Sequence, residues 1–452
     1  MLEKKKEEDI IQRPLEESGD NREKELPEME YKKEQKRIKN RIAIGVLSIL
    51  AVEAVTACFF TGTIAKNHIH KRVIREYQYQ SDGKISLNAG TYTGDMDFGI
   101  FEGDGEFAFD TGSVYKGEWK NDNIEGLGVF ETPSEGSYEG EFSKGAKSGE
   151  GVFSWNNGDT YEGEWKNDKM QGKGTYTTKK DVVYKGIFDD NEFKEGTCEF
   201  ENDTGSYTVT FQKKKIATVK IHYADGTDYS GECTKNGLNG SGTMKFGNDE
   251  SYTGEFEKNK RSGKGVYTWK SGATYDGDWL NDDMNGTGTY TYSKDNYATG
   301  TFEKNIFISG TYHMLNDFGE YTFKIEQGEP VSVEMKLTNG TTYSGEMSNG
   351  KLNGNAQIKY SNGDQYSGNV TDNQKSGQGT YIWTSGASYD GNWSNDKMNG
   401  SGSYTYGNGE NGYMLTGNFK DGRPEGECVY YVSSSESYKT DWSNGTCVKV
   451  YE

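Results

Sequence analysis

A chain of 452 residues has the length of two to four ordinary domains, yet only 31% of it is hydrophobic and its formal net charge is −20. A large aliphatic core is therefore excluded. Disorder is disfavoured in turn by 61 Gly, 32 Tyr and 8 Trp against 5 Pro, because disordered chains are poor in aromatic rings, so an ordered fold must be built from rings and glycine. Five cysteines with no CxxC pair and only four histidines argue against a zinc ribbon, a dense disulfide framework and a histidine metal centre.

Residues 1–41 hold twelve acidic and twelve basic side chains and read as a charged, mostly disordered tail; its end is basic, with Lys32, Lys33, Lys36, Arg37, Lys39 and Arg41. Residues 42–65, IAIGVLSILAVEAVTACFFTGTIA, carry one charge, Glu53. As a helix they would reach roughly 36 Å, which predicts a single transmembrane span. A cleaved signal peptide, with Ala54 and Ala57 at the site, fits less well because the apolar run is long and 41 residues precede it. Glu53 at mid-span is expected to be protonated or to face a partner. Ala54, Cys58 and Gly62, with Ala57 and Thr61 beside them, form a small-residue stripe of the kind that lets two anchor helices self-associate into a homodimer. Six basic residues precede the span within ten positions and four follow it (Lys66, Lys71, Arg72, Arg75), so the N-terminus is expected in the cytoplasm and the remainder outside, at the cell surface. Residues 66–91 read as a juxtamembrane linker.

From residue 92 onward the chain repeats. The phrase Y-x-G-x-[aromatic] begins at Tyr92, Tyr115, Tyr138, Tyr161 and Tyr184, always 23 residues apart, and resumes at Tyr229, Tyr252, Tyr275, Tyr343, Tyr366 and Tyr389. A second phrase, G-x-G-x-[aromatic], follows inside the unit, as at Gly172, Gly174 and Tyr176. A period of 114 residues lies over the short one. It divides the chain into a first unit at 92–114, block A at 115–228, block B at 229–342 and block C at 343–452, whose last unit is truncated. The fifth unit of each block lacks G-x-G. Six tryptophans are three copies of one pair: Trp155/Trp165, Trp269/Trp279 and Trp383/Trp393.

Period-2 alternation identifies strands. In Tyr161-Glu-Gly163-Glu-Trp165 one face carries rings and glycine while the glutamates point the other way, so each unit is two short strands. A three-residue loop centred on Gly158 would set Trp155 opposite Tyr161, Phe153 opposite Gly163 and Gly151 opposite Trp165, each glycine covered by a ring. The same register would set Trp269 opposite Tyr275 and Trp383 opposite Tyr389. The hairpin inside each unit, over NDKMQ, NDDMN or NDKMN, does not reveal its pairing.

The Y-x-G-x-W phrase followed by G-x-G at 23-residue spacing resembles the MORN repeat, the membrane occupation and recognition nexus, over about sixteen units. Departures are Met96, Cys233 and Met347 at ring positions, Ala356 at a glycine, and the fifth-unit hairpins. The resemblance implies an all-β repeat array, an elongated antiparallel ribbon of hairpins used as a scaffold or binding surface. Thirty-two strands would extend it roughly 150 Å.

Little in the array points to chemistry. Residues 77–452 carry a net charge near −22, since residues 1–76 sum to +2, which opposes binding of the array to nucleic acid or acidic lipid headgroups. Gly407-Asn-Gly409-Glu-Asn-Gly412 matches GxGxxG but has no helix after it to present amides to a phosphate. The Asn281-Asp282-Asp283 turn is turn chemistry rather than a calcium loop. His222 and His313 read as solvated; Cys198, Cys233, Cys428 and Cys447 read as free thiols, with a Cys428–Cys447 bridge as the alternative. No catalytic residue, cofactor or metal is expected. The function expected is that of a membrane-anchored, protein-binding scaffold or spacer whose protein partner the residues do not name. The alternative is a glycan-binding surface protein, with Trp155, Trp269 and Trp383 as a platform for sugar rings about 48 Å apart.

Overall fold

The computed structural model describes residues 90–407 and 413–451, together with the backbone of Gln78–Tyr79 and Lys84–Leu87. The expected tail, the expected span at 42–65 with Glu53, Ala54, Ala57, Cys58 and Gly62, and most of the GxGxxG match lie outside them. Among the described residues no helix is long and apolar enough to cross a membrane. All described elements are β-strands, and they form two compact units, one ending at Ser262 and the other beginning at Gly263. In each, strands pair antiparallel with their neighbours in sequence.

The repeat at 161–177 explains the local rules in the first unit. Asn167 and Asp168 both adopt positive φ, +50° and +66°, as a two-residue type I′ turn requires. The turn sets Lys166 against Lys169 and Trp165 against Met170; a bulge follows, and pairing resumes with Gly163 against Gly174 and Tyr161 against Tyr176. The bulge is where G-x-G is needed. Gly172 sits at φ +70° beneath the Glu164 carboxylate, which accepts the Lys173 N–H at 2.9 Å. Gly174 is needed for a different reason, because a Cβ there would lie 2.3 Å from the Tyr161 hydroxyl. The Tyr161 ring lies flat over this bare backbone and its hydroxyl donates to the Glu164 carbonyl at 3.1 Å. The same bond recurs from Tyr115, Tyr138, Tyr229, Tyr252, Tyr275 and Tyr389.

Between units the loop length is as expected but its centre is not. Trp155 N–H donates to the Asp159 carbonyl and Gly158 N–H to the Trp155 carbonyl, so the three loop residues are 156–158 and Gly158 is the last, at φ +96°. A left-handed residue at the end of the loop is the commoner three-residue solution. The register consequently differs by two. Phe153 faces Tyr161, Gly151 faces Gly163 and Gly149 faces Trp165; likewise Tyr267 faces Tyr275 and Tyr381 faces Tyr389. The shift is even, so the rings keep their face. Glycines pair with glycines, and the covering ring comes from the tyrosine two residues earlier.

The fifth hairpins, at Gly205–Gln212 with Lys215–Tyr223 and at Gly319–Glu326 with Glu329–Leu337, use β-branched and aliphatic packing. Val209, Val219 and Ile221 are buried in the first; Val333, Met335 and Leu337 in the second. With larger side chains on the inward positions, neither G-x-G nor a ring over bare backbone is required.

Candidate functional site

The two tryptophans of each pair have different surroundings. Trp165, Trp279 and Trp393 are buried, and their indole N–H groups donate to the carbonyls of Gly151, Gly265 and Gly379 at 3.1, 2.9 and 2.8 Å. Trp155, Trp269 and Trp383 are half-buried, each wedged between two rings. Trp155 lies 4.6 Å from Phe153 and 5.4 Å from Tyr176; Trp269 lies 4.8 Å from Tyr267 and 4.9 Å from Tyr290; Trp383 lies 4.7 Å from Tyr381 and 5.3 Å from Tyr404. The first member of each pair therefore both packs and presents an edge to solvent. In the unit beginning at Gly263 that edge is prolonged by Tyr292 and Tyr406, 51% and 39% exposed and again 114 residues apart. Reading the tryptophans alone overlooks these tyrosines, although the +114 recurrence marks them.

A second feature is buried. At the ninth residue after the motif tyrosine the units carry Phe101, Ile124, Met170, Leu238, Met284 or Leu352, all inside the core. Three units place a cation there: Lys147, Arg261 and Lys375, at 114-residue spacing. Lys375 is 8% exposed, its Nζ 3.1 Å from an Asp396 carboxylate oxygen and 5.7–5.9 Å from the ring centres of Tyr360, Tyr366, Tyr381 and Trp393. Lys147 lies 4.6 Å from the Phe153 ring centre and 5.0 Å from that of Trp165; burial pulls its ammonium pKa down. Arg261 lies over Tyr252 at 5.7 Å. The turn carboxylates of Asp168 and Asp396 also accept the backbone N–H of Lys147 and Lys375. Lys375 and Asp396 are a charge pair inside an aromatic cage, and the same offset carries one ring-packed cation per block. Solvated lysines are the usual reading of such residues, so only their offset reveals them.

Other candidates are accounted for by local contacts. Cys198, Cys233, Cys428 and Cys447 are free thiols, the first three buried; Cys428 faces Thr440 while Cys447 faces Trp442, so the alternative bridge is not formed. His222 is exposed beside Asp228. His313 is not simply solvated: it stacks on Tyr297 at 4.9 Å and meets Glu320 at 3.0 Å. Among the described residues no group of His, Cys, Asp or Glu has the placement of a metal site.

The geometry of ring, glycine pair, bulge and I′ turn recurs where the family comparison finds its matches. Nine segments match the MORN repeat: 115–137, 138–160, 161–180, 252–274, 275–297, 343–365, 366–388, 389–410 and 416–435. Those nine segments are MORN repeats. The MORN matches skip 181–251 and 298–342, the stretches that hold the fifth hairpins with their aliphatic packing. No curated protein matches the chain. Among solved structures the MORN array is remotely similar to the SAS-4 TCP domain of Drosophila melanogaster in complex with a proline-rich motif of Ana2 (9% identity, 57% of this chain and 90% of that one, TM-score 0.12). It is as remotely similar to a catalytically inactive virginiamycin B lyase of Staphylococcus aureus with quinupristin (9%, 77% and 98%, TM-score 0.10) and to a streptogramin B lyase (12%, 60% and 91%, TM-score 0.11). At such scores none of the three informs the function of the MORN array.

Proposed function

We propose that this protein is a non-catalytic, membrane-anchored MORN scaffold that binds another polypeptide on the exported side of the membrane. The observation that carries the reading is how the motif residues are used. The largest fully buried side chains are twelve tyrosines, among them Tyr92, Tyr161, Tyr275 and Tyr389, so the repeated phrase builds the array and leaves binding to what stands outside it. The apolar run 42–65, more basic before than after, supports the anchor and its orientation. The small-residue stripe through Ala54, Cys58 and Gly62 would serve self-association in the membrane.

One cysteine gives the test. Cys447 is the exposed thiol among the described residues, whereas burial raises the Cys428 thiol pKa and pushes that of Cys198 up to about 12, leaving both unreactive. A membrane-impermeant thiol-to-amine cross-linker applied to intact cells should join Cys447 of the full chain to a second polypeptide, and Cys447→Ser should abolish the product. Reaction only after lysis reverses the orientation. Reaction on intact cells that yields no polypeptide adduct contradicts the scaffold.

A further inference from the structure

We infer that the exposed aromatic ridge of the unit beginning at Gly263 is a docking surface for a basic, arginine-rich polypeptide segment. The inference deepens the scaffold reading and rests on it. The ridge runs from Trp383 to Tyr404 (5.3 Å), Tyr406 (4.8 Å) and Tyr430 (6.0 Å). A similar run, its first three rings 114 residues earlier, goes from Trp269 to Tyr290 (4.9 Å), Tyr292 (4.4 Å) and then Tyr312 (6.0 Å). Both stand on the face that holds the buried tyrosines, and both expose their third ring.

Three observations select the partner. Consecutive rings of the first ridge are inclined by 49°, 68° and 75°, so they offer no common plane on which flat sugar rings could stack in series. The third ring of each run is open to solvent, Tyr292 51% and Tyr406 39% exposed, and aromatic rings attract cations. Rings of this protein already hold its own cations: inside the core Lys375 among four rings and Lys147 at 4.6 Å from Phe153, and near the end of the array Lys449 at 4.3 Å from Tyr451. Finally, the net charge near −22 on residues 77–452 attracts a basic chain and repels a polyanion. Arginine suits the ridge better than lysine, because a planar guanidinium stacks on aromatic faces and is more weakly hydrated.

The test uses the full chain and a labelled nine-residue oligo-arginine, with oligo-lysine and a glycine–serine peptide of equal length as controls, followed by anisotropy at physiological salt. Oligo-arginine should bind more tightly than oligo-lysine, and the glycine–serine peptide should bind least. The Tyr292→Ala/Tyr406→Ala double variant should bind oligo-arginine about tenfold more weakly, with melting little changed because both rings are exposed. Tyr292→Phe/Tyr406→Phe keeps the rings and should keep the affinity. Unchanged affinity in the alanine variant, or equal binding of the glycine–serine peptide, overturns the ridge. If Cys447 still cross-links to a polypeptide in that case, the scaffold stands and only the ridge is lost; if it does not, the scaffold fails as well.

Discussion

Asp396→Ala should destabilise the unit that contains it by about 3–5 kcal/mol, whereas Lys375→Met should be neutral or stabilising. The asymmetry follows from where the charges sit. Lys375 is 8% exposed and Asp396 22%, with 3.1 Å between them. Removing the carboxylate takes from the ammonium the oxygen 3.1 Å away while it stays packed among four rings, and also deletes the acceptor of the Lys375 backbone N–H. Replacing the lysine by methionine installs the residue that Met170 and Met284 already are at the same offset, and leaves Asp396 near enough to water to stay solvated. Thermal unfolding of the full chain followed by tryptophan emission measures both variants. Equal losses would mean that the pair contributes net stability as a pair, and would remove the parallel with the methionine units.

Alkali should unfold the array between about pH 10 and pH 12. Burial pushes the phenols of Tyr92, Tyr321 and Tyr389 up to about 12 from their ordinary value of 10, and raises those of Tyr115, Tyr138 and Tyr161 as well. The folded pKa therefore exceeds the unfolded one. The stabilisation is fully present below pH 10 and is withdrawn as pH rises through about 12, because the unfolded chain releases its phenolic protons first. Each such tyrosine withdraws on the order of 2 kcal/mol by the top of that window, and many act together. Phenolate absorbance should accordingly rise in one cooperative step coincident with loss of the β signal. A gradual rise centred near pH 10 with the fold intact would show that the rings are accessible.

Much of this architecture is legible in the residues. The 23-residue return of Tyr-x-Gly, and the alternation of Tyr161, Gly163 and Trp165 with glutamates, specify strands with one aromatic face. The two-residue turn at Asn167-Asp168, by contrast, is hidden inside the run NDKMQ, which does not reveal its pairing until both residues are seen at positive φ. What is not legible depends on three-dimensional detail. A glycine at the end of a loop and one at its centre look alike in sequence, and Gly158 decides the register by that difference. Lys375 looks like any surface lysine until its offset from Tyr366 is set against the apolar residues of other units. Tyr292 and Tyr406 repeat as faithfully as the buried tyrosines, and only burial separates the ring that packs from the ring that is presented.

Whether the repeated rings build the array or form a sugar platform is decided by Trp269→Ala and Trp279→Ala in the full chain. Trp279 is buried with its indole N–H bonded, so its loss should cost about 3–5 kcal/mol; half-buried Trp269 should cost roughly half as much. Melting and retention on immobilised polysaccharide are measured together for wild type and both variants. If the rings build the array, melting falls strongly for Trp279→Ala and less for Trp269→Ala, and all three proteins show the same retention. Unchanged melting of Trp269→Ala together with lost retention on the polysaccharide would mean that the rings serve sugar binding instead.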